Sequence, residues 1–208
     1  MNPNTSRLLR TARLAAPALG ALTLTVALAG PAAADPSFAS RSGGEVRFAA
    51  LPGEQNTVKI SDNGGFLEIN DSTSRITPGP GCVPVDLNTV RCGTVAGTTR
   101  IQASLGDRND VFDNTLLGPV PNDVDGGAGD DKIYGGFGTD RLTDPDGWNS
   151  PIPIGTVTFD GRGGNDTIVS RNGGYDRVQC GGGAFDLVVA DAATLDNIQA
   201  GCEFVVRS

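Results

Sequence analysis

The chain of 208 residues contains no histidine. That absence removes zinc centres of the usual imidazole type, Ser-His-Asp and Cys-His nucleophile systems, and every imidazole general base. Beyond residue 34 there is no uncharged apolar run of about 18 residues, the length a membrane-spanning helix needs, so no membrane span is expected there. Basic charge is also short, with 16 Lys and Arg against 24 Asp and Glu and a formal net charge of −8. That sign argues against nucleic acid or an anionic membrane as partner and for cations. Glutamate is scarce, since 20 of the acids are Asp. Aspartate is a poor helix former and a good turn and hard-cation residue, and 30 glycines push the same way, towards many tight turns.

The first 34 residues read as a processing segment. Arg7, Arg10 and Arg13 form a basic leader, Ala18 to Ala29 an uncharged apolar stretch, and Ala32-Ala33-Ala34 a small-residue cleavage site before Asp35. A secretory signal peptide over 1–34 predicts export and an extracellular location. The remainder has a length suited to one domain.

Composition changes near residue 105. In the section 35–104, Glu45 to Leu51, Thr57 to Ser61, Phe66 to Ile69, Val83 to Val85, Thr89 to Cys92 and Thr98 to Leu105 read as strands, and Asn63-Gly64 as a hairpin turn. Cys82 and Cys92 lie symmetrically about Leu87, so a hairpin turning at Asp86-Leu87-Asn88 sets their sulfurs opposite each other and predicts a disulfide.

The section 105–208 is repetitive. GGAGDDKIY (Gly126 to Tyr134) and GGFGTDRLT (Gly135 to Thr143) are contiguous matches to G-G-x-G-x-D-x-U-x, with U a large apolar residue. GRGGNDTIV (Gly161 to Val169) departs only at Arg162, which stands in the second glycine position. Asp166, Asp176, Asp186 and Asp196 then recur every ten residues, each followed two positions later by Ile168, Val178, Val188 or Ile198. LGDRNDVFD (Leu105 to Asp113) and LGPVPNDVD (Leu117 to Asp125) are degenerate copies. The stretch 144–158, with Pro145, Gly147, Trp148, Pro151 and Pro153, reads as an inserted loop after which the register resumes at Phe159. Trp148 is expected to fold back over the core. The expected fold is all-β: a parallel β-roll or β-solenoid whose inward residues Ile133, Leu142, Phe159, Ile168, Val178 and Val188 stack from turn to turn, with a β-rich N-terminal section.

Such spacing suits calcium, which takes six to eight oxygens at about 2.3–2.6 Å and tolerates irregular geometry. Glycine lets the backbone turn tightly so that carbonyls converge, while aspartate closes the coordination and balances charge. The alternative is a row of solvated turn aspartates. Stacked turns, however, bring like charges within a few ångströms, and a cation removes that penalty.

The nonapeptides resemble the RTX, or hemolysin-type, calcium-binding repeats over roughly Leu105 to Ile198. The resemblance implies several Ca²⁺ ions, each between the second, fourth and sixth positions of one repeat and the first, third and sixth of the next but one. Carried over, one site pairs Gly136, Gly138 and Asp140 with Gly161, Gly163 and Asp166. A second pairs Gly106, Arg108 and Asp110 with Gly126, Ala128 and Asp131, where Arg108 would supply its carbonyl. Gly127, Gly129 and Asp131 form a half-site whose partner is the degenerate repeat ending at Asp160. Asp176, Asp186 and Asp196 are either ligands or ladder-forming turn residues. Cys180 and Cys202 straddle the last two ten-residue units, so a disulfide between them would staple the C-terminal edge. The closing stretch is similar to secreted calcium-binding repeat proteins of Gram-positive bacteria. The N-terminal leader departs from the C-terminal export signal of typical RTX proteins, so toxin or protease activity is not carried over.

The leading expectation is a secreted calcium-binding structural module that is not an enzyme and that orders when it meets extracellular calcium. Alternatives are a calcium-dependent adhesin, with a cell-wall or glycan surface as partner, and a calcium-assisted polysaccharide-acting enzyme using Asp144 and Asp146 beside Trp148.

Overall fold

The structure, a computed structural model, describes residues 36–149, 151–152, 156 and 158–208. The leader expected over 1–34, and Pro153 in the inserted stretch, lie outside these residues. Among the described residues every regular element is a strand. β1 (Ser37–Ser42) pairs antiparallel with β2 (Glu45–Ala49), and β3 (Thr57–Asn63) with β4 (Phe66–Asp71). β5 (Ile76–Pro78) lies parallel beside β1, while β6 (Val83–Pro84) and β7 (Thr89–Thr94) form a hairpin alongside β4. The strands that follow are β8 (Arg100–Ser104), β9 (Val111–Asn114), β10 (Asn122–Asp125), β11 (Lys132–Tyr134), β12 (Arg141–Thr143) and β13 (Phe159–Asp160). The last are β14 (Thr167–Val169), β15 (Arg177–Gln179), β16 (Leu187–Ala190), β17 (Asn197–Ile198) and β18 (Phe204–Arg207).

From β8 onward the chain changes sheet after every strand. The even-numbered strands add in parallel to β2, in the order β2-β8-β10-β12-β14-β16-β18, and form most of sheet A. The odd-numbered strands add in parallel to β3, in the order β3-β9-β11-β13-β15-β17, and form most of sheet B. Both sheets therefore run through the compositional change near residue 105 without a break.

Two sequence expectations shift slightly. Asn63 pairs with Phe66, so the β3–β4 turn is Gly64-Gly65 rather than Asn63-Gly64, and both glycines take the positive φ (64° and 86°) that tight hairpins demand. β1 and β5, unforeseen, extend sheet A beyond β2. The inserted stretch does return to register at Phe159, which pairs with Ile133.

The apolar residues expected to stack do so, in two columns instead of one. Val124, Leu142, Ile168 and Val188 are in register across sheet A; Phe112, Ile133, Phe159 and Val178 are in register across sheet B. All eight are almost wholly buried in one hydrophobic cluster. One buried Ile or Leu contributes about 1.5–3 kcal/mol, whereas ordering the backbone costs about 1–2 kcal/mol per residue. A nine-residue repeat therefore cannot stand alone, and its stability comes from both neighbours. Cys82 and Cys92 are joined across the β6–β7 hairpin, and Cys180 and Cys202 join the segment after β15 to the one before β18.

Candidate functional site

Side chains alternate across a strand, so the residue two before an inward apolar one also points inward. Asp110, Asp131, Asp140, Asp166, Asp176, Asp186 and Asp196 each stand two positions before a core residue. None is more than 2% exposed. The Asp-x-apolar spacing thus drives each carboxylate into the turn at the head of its strand.

The carboxylates form two ladders, one at each edge of the sheets. Where the chain crosses from sheet A to sheet B, the Asn56 N–H donates to Asp110 Oδ1 (2.6 Å) and the Asp110 N–H to Asp131 Oδ1 (2.8 Å). At the opposite edge the N–H groups of Asn122, Asp140 and Asp166 donate to Oδ1 of Asp140, Asp166 and Asp186 at 2.7, 2.8 and 2.8 Å. The Asp186 N–H ends that ladder on Glu203 Oε2 (2.9 Å). One carboxylate oxygen per rung is thereby spent on the neighbouring backbone. The other oxygen is buried and has no protein partner in Asp110, Asp131, Asp166 and Asp186; in Asp196 the same holds for Oδ1.

Burial, foremost, raises the proton affinity of these groups. It pushes Asp110 to about 7, Asp131 to about 8, Asp166 to about 8 and Asp176 to about 7, with neighbouring carboxylates adding to the rise. Asp186 and Asp196 are raised for the same reason. Asp140 rises less, to about 6, because backbone N–H groups of Gly136 and Asn122, the Asn122 amide and the Arg162 charge all favour its ionised form.

Each pair of half-sites expected from the repeats is brought together. Gly136, Gly138 and Asp140 lie against Gly161, Gly163 and Asp166: the Gly163 N–H donates to the Gly136 carbonyl (3.1 Å), and a Cβ on Gly164 would overlap the Gly138 oxygen. Gly106, Arg108 and Asp110 lie against Gly126, Ala128 and Asp131: the Ala128 N–H donates to the Gly106 carbonyl (2.9 Å), and a Cβ on Gly129 would overlap the Arg108 oxygen. Arg108 takes a φ of 78°, so it follows a glycine's path. The half-site of Gly127, Gly129 and Asp131 belongs to a repeat whose strand lies beside the strand of its expected partner, and its turn is also met by the inserted stretch. Asp160 belongs to β13 and pairs with Tyr134, while Asp146, at the start of the inserted stretch, accepts the Gly129 N–H at 3.1 Å.

Three features escaped the sequence reading. Asn56 and Glu203 end the ladders; each stands two residues before a valine in register with an apolar column, Val58 with Phe112 and Val205 with Val188, and that spacing was the available signal. Arg162 was noted as a missing glycine, yet it has φ 67° and its guanidinium pairs with Asp113 (2.6 Å) while donating to the carbonyls of Asn114 and Gly135. Nothing in the spacing announced where that side chain would go.

The donors along both ladders are oxygens. The chain has no histidine, and all four cysteines are in disulfides. Such a set suits a hard cation such as Ca²⁺ and does not suit zinc or copper. Among the described residues no three acidic, histidine or cysteine side chains converge as a preformed metal centre, so a cation here would also draw on backbone carbonyls. No family model, no curated protein and no solved structure matches the chain.

Proposed function

We propose that the protein is a secreted calcium-binding repeat protein of the RTX type, a parallel β-roll whose turns are held by Ca²⁺ and which rigidifies on reaching calcium outside the cell. The observation that carries this reading is the row of buried carboxylates that each keep an oxygen without a protein partner. A buried ionised carboxylate with an unmet oxygen is costly, and stacking such groups compounds the cost. A divalent cation between successive turns meets both costs with the oxygen donors it prefers. The two disulfides fit an oxidising compartment, and extracellular calcium modules typically bind at about 10⁻⁴–10⁻³ M. Thermal melting of the protein with calcium and with excess chelator tests the reading. A clear fall in melting temperature on chelation is expected; an unchanged temperature, with mass spectrometry showing that no calcium bound in either condition, overturns it.

A further inference from the structure

The inserted stretch begins as another turn of the A-to-B edge. Asp125 pairs with Thr143, so Asp144 stands where Gly126 stands one repeat earlier. Asp144 is 1% exposed. Oδ1 accepts the N–H groups of Asp146 and Gly147 (both 3.3 Å), and Oδ2 has no protein partner. Three contacts strap the stretch to the turn 126–131. Both Asp146 oxygens accept the Gly129 N–H (3.1 Å), Trp148 Nε1–H donates to the Asp131 carbonyl (3.1 Å), and the Asn149 N–H reaches Asp130 Oδ1 (3.4 Å).

Asp131, on the strapped turn, also has an unmet buried Oδ2, and Asp144 is the foremost neighbouring charge acting on it. Asp176, on the other side of Asp144, has both oxygens occupied, by the Thr158 hydroxyl (2.9 Å) and the Asn172 amide (3.0 Å). The open oxygens are therefore those of Asp131 and Asp144, on adjacent turns, with the exposed Asp146 carboxylate beside them. Two buried carboxyls on neighbouring turns, each with one oxygen short of a partner, are donors that a divalent cation takes in place of their protons.

We infer that the inserted segment completes a divalent-cation site in which the unmet oxygens of Asp144 and Asp131 act together with backbone carbonyls, with Asp146 at its exposed rim and the indole of Trp148 alongside. The site rests on the proposed calcium reading and adds to it a non-repeat segment that supplies carboxylates where the repeats supply glycine carbonyls. Trp148, the one tryptophan of the chain, then serves as a built-in reporter.

Terbium(III), a luminescent stand-in for calcium, tests this in the full chain by emission excited through tryptophan, with calcium counted in parallel by equilibrium dialysis. Wild type is expected to give tryptophan-sensitised emission that excess calcium abolishes. Asp144→Asn should lose one calcium ion per chain and most of that emission, whereas Asp166→Asn, at the opposite edge, should lose calcium and keep the emission. If Asp144→Asn misfolds by circular dichroism, the exposed Asp146→Asn is read in its place and should weaken the emission. Unchanged emission and calcium count in a folded Asp144→Asn or Asp146→Asn protein overturn the inference alone. A wild-type chain that binds no calcium overturns the calcium reading and this site with it.

Discussion

Two rungs of the ladders, Asp140 at one edge of the sheets and Asp131 at the other, sit in the same kind of turn and satisfy the buried acid in different ways. At the B-to-A edge Asp140 is fully provided for: Oδ1 accepts the N–H and the amide of Asn122, and Oδ2 accepts the Gly136 N–H at 2.7 Å. The Asn114 amide donates to Asn122 Oδ1 at 2.9 Å, and Arg162 brings a positive charge to the same place. At the A-to-B edge Asp110, Asp131 and Asp144 each retain an unmet oxygen. Protein amides and a guanidinium do at Asp140 what, on our reading, calcium does at the rungs left with an unmet oxygen, Asp166 and Asp186 of the same edge included. The most regular pair of repeats is therefore not the neediest: of Asp140 and Asp166, only Asp166 has an oxygen left for an ion.

The largest expected effect is that of pH on the metal-free protein. The raised carboxyls hold protons in the folded state that the unfolded chain releases near its ordinary value of 3.8. Their contribution is present below that value and is lost as pH rises through about 7 and about 8. In chelator, the melting temperature should fall from pH 4 to pH 8, and calcium should restore it at the upper end. A melting temperature that rises across that range in chelator would show that the carboxylates are met by something other than protons or metal.

Asparagine substitutions at the two edges come next. Asp131→Asn mimics the protonated acid, so it should stabilise the chain in chelator and destabilise it in calcium. Asp140→Asn sets an amide group against the Gly136 N–H, or forfeits the Asn122 contacts, and should cost about 1–3 kcal/mol in both conditions. Equal behaviour of the two variants in denaturant melts would erase the distinction between these two rungs.

Much of this was legible in the chain itself. The Asp-x-apolar spacing places carboxylate and core residue on one face by strand alternation alone, and the symmetry of Cys82 and Cys92 about Leu87 is realised in the β6–β7 pairing. The division of the apolar column between two sheets was not legible, because one apolar residue every nine or ten positions does not say which sheet receives it. β1 escaped because SFASRS has little of the usual strand signature. Its Arg41 is held by carbonyls of residues as distant as Cys92 and Gly97, contacts that only the folded chain creates. The turn-like course of Asp144 to Asn149 was hidden by the prolines and the extra length around it.

The smallest effect sharpens the contrast from the other side. Arg162→Gly restores the second glycine of the repeat and relieves a left-handed backbone worth about 1 kcal/mol, but it removes the Asp113 ion pair and two carbonyl contacts. The change in calcium should be near neutral, while the gap between melting temperatures with and without calcium should widen.

The most direct measurement is an anomalous difference map from crystals grown in calcium. Peaks within about 2.3–2.6 Å of Asp131 and Asp166 carboxylate oxygens are the expected result. Ordered carboxylates at both positions, in calcium at saturating concentration and with no anomalous peak beside either, would contradict the calcium ladder.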